Sequence, residues 1–208
     1  NCLNYINNTK MQKILKEGYW RILELFYKER NKKIHLRGIA RQTKMNENSV
    51  SRFLNSLEKH SILKSEKDGN LKKYFIRKNN IVYSIFTLFD IEKFNKLPHL
   101  RRNAIEYFFK ELKEKPVILF LFGSTAKETF TNKSDIDLLM IVNRKIKVEE
   151  AQRYADAQTG IRISCFQIEY KAFLKELKTQ EDKVIGSAVT TGYPLTNHIN
   201  FYEEYYGS

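Results

Sequence analysis

The sequence predicts an α+β protein built from two unlike parts joined by helices. Three observations carry that expectation. The first is charge: 37 Lys and Arg stand against 24 Asp and Glu, a net +13. Residues 1–80 hold 19 basic against 7 acidic side chains, and residues 81–208 hold 18 against 17. The second is a run of helical periodicities before residue 60, followed by two short runs that meet at Asp68-Gly69. The third is a continuous apolar run, residues 117–122, and a second apolar run opened by Asp135-Ile136-Asp137 and ending at Val142, with only a short polar stretch between them. Strands buried on both faces read this way.

Composition sets the outer bounds. Hydrophobic residues make up 42% and charged residues 29%, the balance of a water-exposed globular chain with a real core. Cys2 and Cys165 have neither metal spacing nor the even, close spacing of a disulfide framework. The central apolar run, residues 116–122, is far too short to cross a bilayer, and no basic-then-apolar leader opens the chain. A cytoplasmic location with no membrane partner is the expectation. His35, His60, His99 and His198 are scattered, and none has a ligand or catalytic partner at a meaningful spacing.

In the basic part, Met11, Ile14, Leu15, Tyr19, Ile22 and Phe26 recur at helical spacing and predict a first helix. Residues 36–43 form a brief second helix with Ile39 and Ala40 inward. Asn46 is a suitable N-cap for a third, whose stripe is Val50, Phe53, Leu54 and Leu57. Asn48, Ser49, Ser51, Arg52 and Asn55 then lie on or near its outer face. A hairpin follows over residues 62–77, with Asp68-Gly69 as a type I′ turn. This stretch resembles the winged-helix DNA-binding family. The resemblance implies that those five residues approach the major groove of double-stranded DNA. Lys64, Lys67, Lys72 and Lys73 on the hairpin would meet phosphates. Winged helices also dock proteins, and a lysine-rich surface also confers solubility; structured RNA stays open as a partner.

Ile81, Val82, Ile85, Phe86 and Phe89 predict a fourth helix, ending before Leu97-Pro98. Leu100, Ala104, Ile105, Phe108 and Leu112 predict a fifth, ending before Pro116. Glycine is absent between Gly69 and Gly123, so a rigid helical connector is expected over residues 81–115. The resulting division is 1–80, 81–115 and 116–208.

The chemistry concentrates between Gly123 and Asp137. Gly123 allows a sharp turn and the close approach of a ligand, and Ser124 adds a hydroxyl and an amide for phosphate oxygens. Ten residues later, Asp135-Ile136-Asp137 opens the second strand. Alternation puts both carboxylates on one side, with side chains roughly 6–7 Å apart along the strand. Both then reach one divalent ion, or two close together. Mg²⁺ suits such hard oxygen donors, and Mn²⁺ is the alternative. The stretch closely resembles the nucleotidyltransferase superfamily typified by DNA polymerase β, and most of all its minimal members. The resemblance spans roughly residues 98–178. It implies a mixed sheet flanked by helices, with Gly123 and Ser124 at the triphosphate of an NTP, ATP above all. It assigns Asp135 and Asp137 to metal and catalysis. Lys127 stands where minimal members carry Arg and is grouped with the nucleotide-binding residues.

The same resemblance calls for a third carboxylate on a later strand. After a helix over residues 147–158, the strand expected at residues 161–168 reads IRISCFQI and has no acid. Glu169 at its end is the nearest candidate, and Asp156 falls on the preceding helix. The tail begins with a helix carrying Phe173 and Leu174 and is expected to pack back through Phe201, Tyr202 and Tyr205.

Two functions follow. One is a Mg²⁺-dependent transferase that moves a nucleoside monophosphate, AMP foremost, from an NTP to an acceptor hydroxyl while bound to DNA. Minimal members modify partner toxins, which implies a protein acceptor such as a toxin. The other is a winged-helix transcriptional regulator whose transferase-like domain binds nucleotide or a partner without turnover. A homodimer is compatible with either.

Overall fold

The computed structural model describes residues 15–207, so Cys2, Met11 and Ile14 lie outside the described residues. Two compact units divide the described chain, residues 15–89 and 90–207. The division falls inside the segment expected as a connector.

The first unit contains helix α1 (Glu17–Lys28), strand β1 (Ile34–His35), helix α2 (Leu36–Thr43) and helix α3 (Glu47–Lys59). Strands β2 (Leu63–Asp68) and β3 (Leu71–Ile76) follow, then helix α4 (Asn80–Lys96), of which the part up to Phe89 belongs here. Asn46 caps α3 as expected, its side chain accepting from the Ser49 amide at 3.0 Å. His35 caps α2 in the same way, with its Nδ1 accepting from the Gly38 amide at 2.9 Å. Val50, Leu54 and Leu57 are buried, whereas Phe53 is only half-buried and stands edge-on to Tyr19. Gly18 permits that approach, since a Cβ there would lie 2.2 Å from the Phe53 ring. Trp20 and Tyr27 of α1 pack against Phe86 and Phe89 of α4, with ring centroids 4.5–5.4 Å apart. Each such buried ring removes enough apolar surface from water to favour folding by ~1.5–3 kcal/mol.

Two details of this unit differ from expectation. Residues 34–35 are a strand, and the sheet has order β1-β3-β2, with Ile34 opposite Tyr74. The hairpin turn is one residue later than predicted: Asp68 still pairs with Leu71, and Gly69-Asn70 is the loop. Gly69 has φ +60°, while Asn70 is not among the positive-φ residues. A positive φ at the first loop residue alone is the pattern of a type II′ turn, not type I′.

The second unit continues α4 and adds helix α5 (His99–Glu111), strand β4 (Ile118–Phe122) and the one-turn helix α6 (Gly123–Ala126). Strand β5 (Ile136–Val142), helix α7 (Glu149–Thr159) and strand β6 (Ile163–Glu169) follow. The chain then runs through helices α8 (Tyr170–Thr179) and α9 (Lys183–Thr191), strand β7 (Tyr193–Pro194) and helix α10 (His198–Gly207). The sheet is mixed, with order β6-β5-β4-β7. β4 is antiparallel to β5 and β7, and β5 is parallel to β6. A parallel neighbour requires a crossover, which α7 provides.

Every residue of β4 is buried, as the continuous apolar run predicts. Leu119, Leu121, Ile136, Leu138, Met140 and Val142 form one core with Ala104, Ile105 and Phe108 of α5 and Ala151 and Ala155 of α7. The alternate residues take the opposite face, where Phe120 stands edge-on to Phe201 of α10 at 4.6 Å. That second face carries Asp137.

His198 has a partner after all. Asp90 is wholly buried, and its carboxylate accepts from Tyr202 Oη at 2.9 and 3.0 Å. His198 Nδ1 is 3.0 Å from the same group. The partner is 108 residues away, beyond any local spacing rule. Tyr202→Phe is expected to lower the stability of this unit by about 2 kcal/mol, the scale of a hydrogen bond to a buried charged group. Urea unfolding with an unchanged midpoint would show that the hydroxyl contributes nothing.

Candidate active site

Strand pairing builds the site. Phe122, the last residue of β4, lies opposite Asp137, the second residue of β5. The chain then turns at Gly123, whose φ is +70°. A Cβ at Gly123 would fall 2.0 Å from Asp137 Oδ2. Glycine is therefore required twice here, by backbone conformation and by the carboxylate pressed against it. Ser124 follows in the half-buried turn, and its carbonyl accepts from the Thr129 amide at 3.0 Å. Lys127 is exposed at the end of α6.

Asp135 sits one residue before β5, and both it and Asp137 are half-buried. Burial, and then the nearby Asp135 carboxylate, hold the Asp137 carboxyl above its ordinary proton affinity. Two acids that repel each other at a glycine-walled turn suit a divalent cation, which relieves both penalties. No group of three His, Cys, Asp or Glu side chains suited to a metal occurs among the described residues.

The register locates the third position. Along the parallel pair, Asp137 lies opposite Ser164, and Ser164 Oγ is 3.5 Å from Asp135 Oδ2. Glu169 lies opposite Val142, at the far end of the strand. Five residues at ~3.3 Å each put it roughly 16 Å along β6 from Ser164. Glu169 is thus far along the strand from Asp137, and the β6 side chain nearest the pair in register is the Ser164 hydroxyl. Asp156 is exposed on α7. Phe166, two residues beyond Ser164, is 45% exposed and stands 5.8 Å from the ring of Phe122. Burial pushes the neighbouring Cys165 thiol up to about 12, so it is no nucleophile at neutral pH.

One side chain at the site escaped the sequence reading. Arg101 of α5 is 3% exposed. Its guanidinium donates to Thr125 Oγ1 at 2.9 Å, to the Thr131 carbonyl at 2.9 Å and to the Ser134 carbonyl at 2.8 Å. It also lies over the Phe130 ring, 4.2 Å from the centroid. Burial lowers its proton affinity, and Asp135 opposes that shift. A signal was present: Arg101 falls on the stripe of Ala104, Ile105, Phe108 and Leu112, where an unpaired charge would not be buried.

In the first unit, Asn48, Arg52 and Asn55 are exposed on α3, with Ser49 and Ser51 half-exposed beside them. The hairpin lysines are engaged within the unit. Lys72 bonds Glu58 at 2.8 Å, and Lys73 pairs with Asp68. Glu58 is held low by hydrogen bonds from Lys72 and Ser65, which outweigh the larger single effect of its burial. Lys64 lies over the Phe75 ring at 4.8 Å.

Comparison with known proteins bears on the second unit. Residues 103–198 match the family model described as polymerase beta, nucleotidyltransferase. The matched segment takes in the Gly123-Ser124 turn and the Asp135–Asp137 pair. No curated protein matches the chain. Among solved structures, one from Archaeoglobus fulgidus is 19% identical over 40% of this chain and 97% of its own, with a TM-score of 0.36. The homodimeric winged helix-turn-helix DNA-binding domain from Mycobacterium bovis is 17% identical over 45% of this chain and 97% of its own, with a TM-score of 0.34. A toxin–antitoxin structure with AMP-PNP is 18% identical over 48% and 78%, at 0.35. These three likenesses are partial and weak. Among the described residues, no helix is long and apolar enough to cross a membrane.

Gly123→Ala is expected to destabilise the second unit by at least about 1 kcal/mol, from its positive φ alone. It also displaces the Asp137 carboxylate, so Mn²⁺ binding, read by electron paramagnetic resonance, should fall with it.

Proposed function

We propose that the second unit transfers a nucleoside monophosphate, AMP foremost, from an NTP to an acceptor hydroxyl. The observation that carries this reading is the close approach of Asp137 to Gly123, which sets the Gly123-Ser124 turn directly beside the carboxylate pair. Asp135 and Asp137 would hold Mg²⁺ or Mn²⁺, and Ser124, with Lys127 nearby, would receive the triphosphate. The cation, when bound, neutralises charge on the phosphates and makes the acceptor hydroxyl easier to deprotonate. Gly123 leaves room for the Asp137 carboxylate at the turn, and the half-buried turn would limit water around the phosphates. A protein hydroxyl, such as that of a toxin, is the acceptor we favour.

A second reading has its own support. Ser164 lies opposite Asp137 with its Oγ 3.5 Å from Asp135 Oδ2, which supports a donor set of two carboxylates and a neutral hydroxyl. Such a site binds nucleotide with its cation and turns over slowly, as suits a regulator that senses nucleotide. Transfer of label from α-³²P-ATP separates the readings. The transferase predicts metal-dependent labelling that is lost in Asp135→Ala and Asp137→Ala and increased in Ser164→Asp. Absence of labelling in the wild type with Mg²⁺ and Mn²⁺ across the four NTPs, but labelling in Ser164→Asp, selects the regulator.

For the first unit we propose a winged-helix module that binds double-stranded DNA through Asn48, Ser49, Ser51, Arg52 and Asn55. The exposed polar face of α3 and the charge excess of the first 80 residues support it. Lys72 and Lys73 reach phosphates only by exchanging Glu58 and Asp68 for them. Duplex binding, measured by fluorescence anisotropy, should weaken steeply with salt. Arg52→Ala should weaken it about tenfold at fixed salt; binding indifferent to both changes removes α3 as the DNA-reading surface.

A further inference from the structure

We infer that Arg101 is a positioning residue for the candidate site, clamping the Gly123-Ser124 turn to the Asp135–Asp137 pair. It lies on α5, outside the turn-and-carboxylate pattern. The segment it holds runs between the two halves of the site. Thr125 directly follows Ser124, and Ser134 directly precedes Asp135. Arg101 Nη1 bonds the first of these, and Nη2 bonds the second together with Thr131. One side chain therefore ties both ends of the intervening loop, and Phe130 in its middle stacks on the same guanidinium. Thr131 and Ser134 add their own closure, with the Thr131 amide donating to Ser134 Oγ at 2.9 Å.

The planar fork is essential to this arrangement. Three acceptors lie in different directions around one buried group, and a guanidinium presents donors at fixed angles to all of them. Lysine carries the same charge on a single nitrogen and cannot span them. Removing the clamp leaves the Ser134 carbonyl without its guanidinium donor and the Thr131 carbonyl with the Ser134 amide alone, so the loop relaxes toward water. The turn and the carboxylates then lose their fixed separation. A misplacement of about 1 Å between reacting groups costs on the order of 100-fold in rate. Arg101 also sets a permanent cation close to Asp135, on the side of the loop.

The inference rests on the proposed nucleotide site, and its test is built to fail separately from that reading. The full chain, Arg101→Lys, Arg101→Ala and Thr125→Val are compared for binding of the α,β-methylene analogue of ATP with Mg²⁺. Arg101→Lys is expected to stay folded and to bind the analogue roughly tenfold more weakly, with Thr125→Val intermediate. Millimolar guanidinium should restore binding to Arg101→Ala, and methylammonium should not, because only the former reproduces the fork. Wild-type affinity in a folded Arg101→Lys overturns the clamp, as does rescue by both cations alike. Hydrogen exchange of residues 125–134 provides a nucleotide-free reading. Loss of protection confined to this loop in Arg101→Lys supports the clamp even if the wild type binds no analogue. Unchanged protection rejects the clamp whatever the nucleotide does.

Discussion

The second unit depends on the antiparallel pairing of β4 with β5. Both strands are almost wholly apolar, so the pairing is driven by burial on two faces, not by polar chemistry. Its register nevertheless decides the chemistry. Shifting β5 by one residue would send Asp137 into the core shared with α5 and α7. The apolar alternation forbids that shift, because Leu138 and Met140 would leave the same core. Hydrophobic packing thereby fixes where two charges meet a glycine, and the site is a by-product of how the sheet is filled.

Much of this was legible in the sequence because it is local. The Gly-Ser turn, the ten-residue spacing and the Asp-x-Asp strand lie within one hairpin, where chain connectivity permits few arrangements. The Asn46 cap and the buried residues Val50, Leu54 and Leu57 of α3 were readable for the same reason. What was misread is non-local. Glu169 looked close to the site because β6 had no known register. The parallel pairing through the α7 crossover sends it to the opposite end of the strand. Arg101 went unread because its acceptors lie 24 to 33 residues further along. The hairpin turn slipped by one residue because Asp68-Gly69 and Gly69-Asn70 are both sound turn pairs, and strand register chose between them. Strand β1 is two residues long and carries no periodicity to detect.

The site also shows a division of labour between rigid and irregular backbone. β4 and β5 set the positions of Gly123 and Asp137. The loop between them carries polar side chains and a positive-φ residue, Glu128. Held by its own Thr131–Ser134 bonds and by a buried side chain beneath it, such a loop is ordered without being regular. Phe166, exposed beside the carboxylate face, gives the site one flat apolar wall that a polar pocket would lack.

The Asp90 cluster has a consequence for the order in which the molecule assembles. Asp90 stands at the beginning of the second unit, and the groups that satisfy it arrive on α10. A ribosome releasing the chain exposes β4 and β5 long before His198 and Tyr202 emerge. The hairpin can pair early, but the Tyr202 hydroxyl and the His198 ring reach the Asp90 carboxylate only when α10 docks. Contacts spanning more than a hundred residues are the slow ones to form. Burial of Asp90 against His198 and Tyr202 therefore waits for α10, the helix in which those two residues lie.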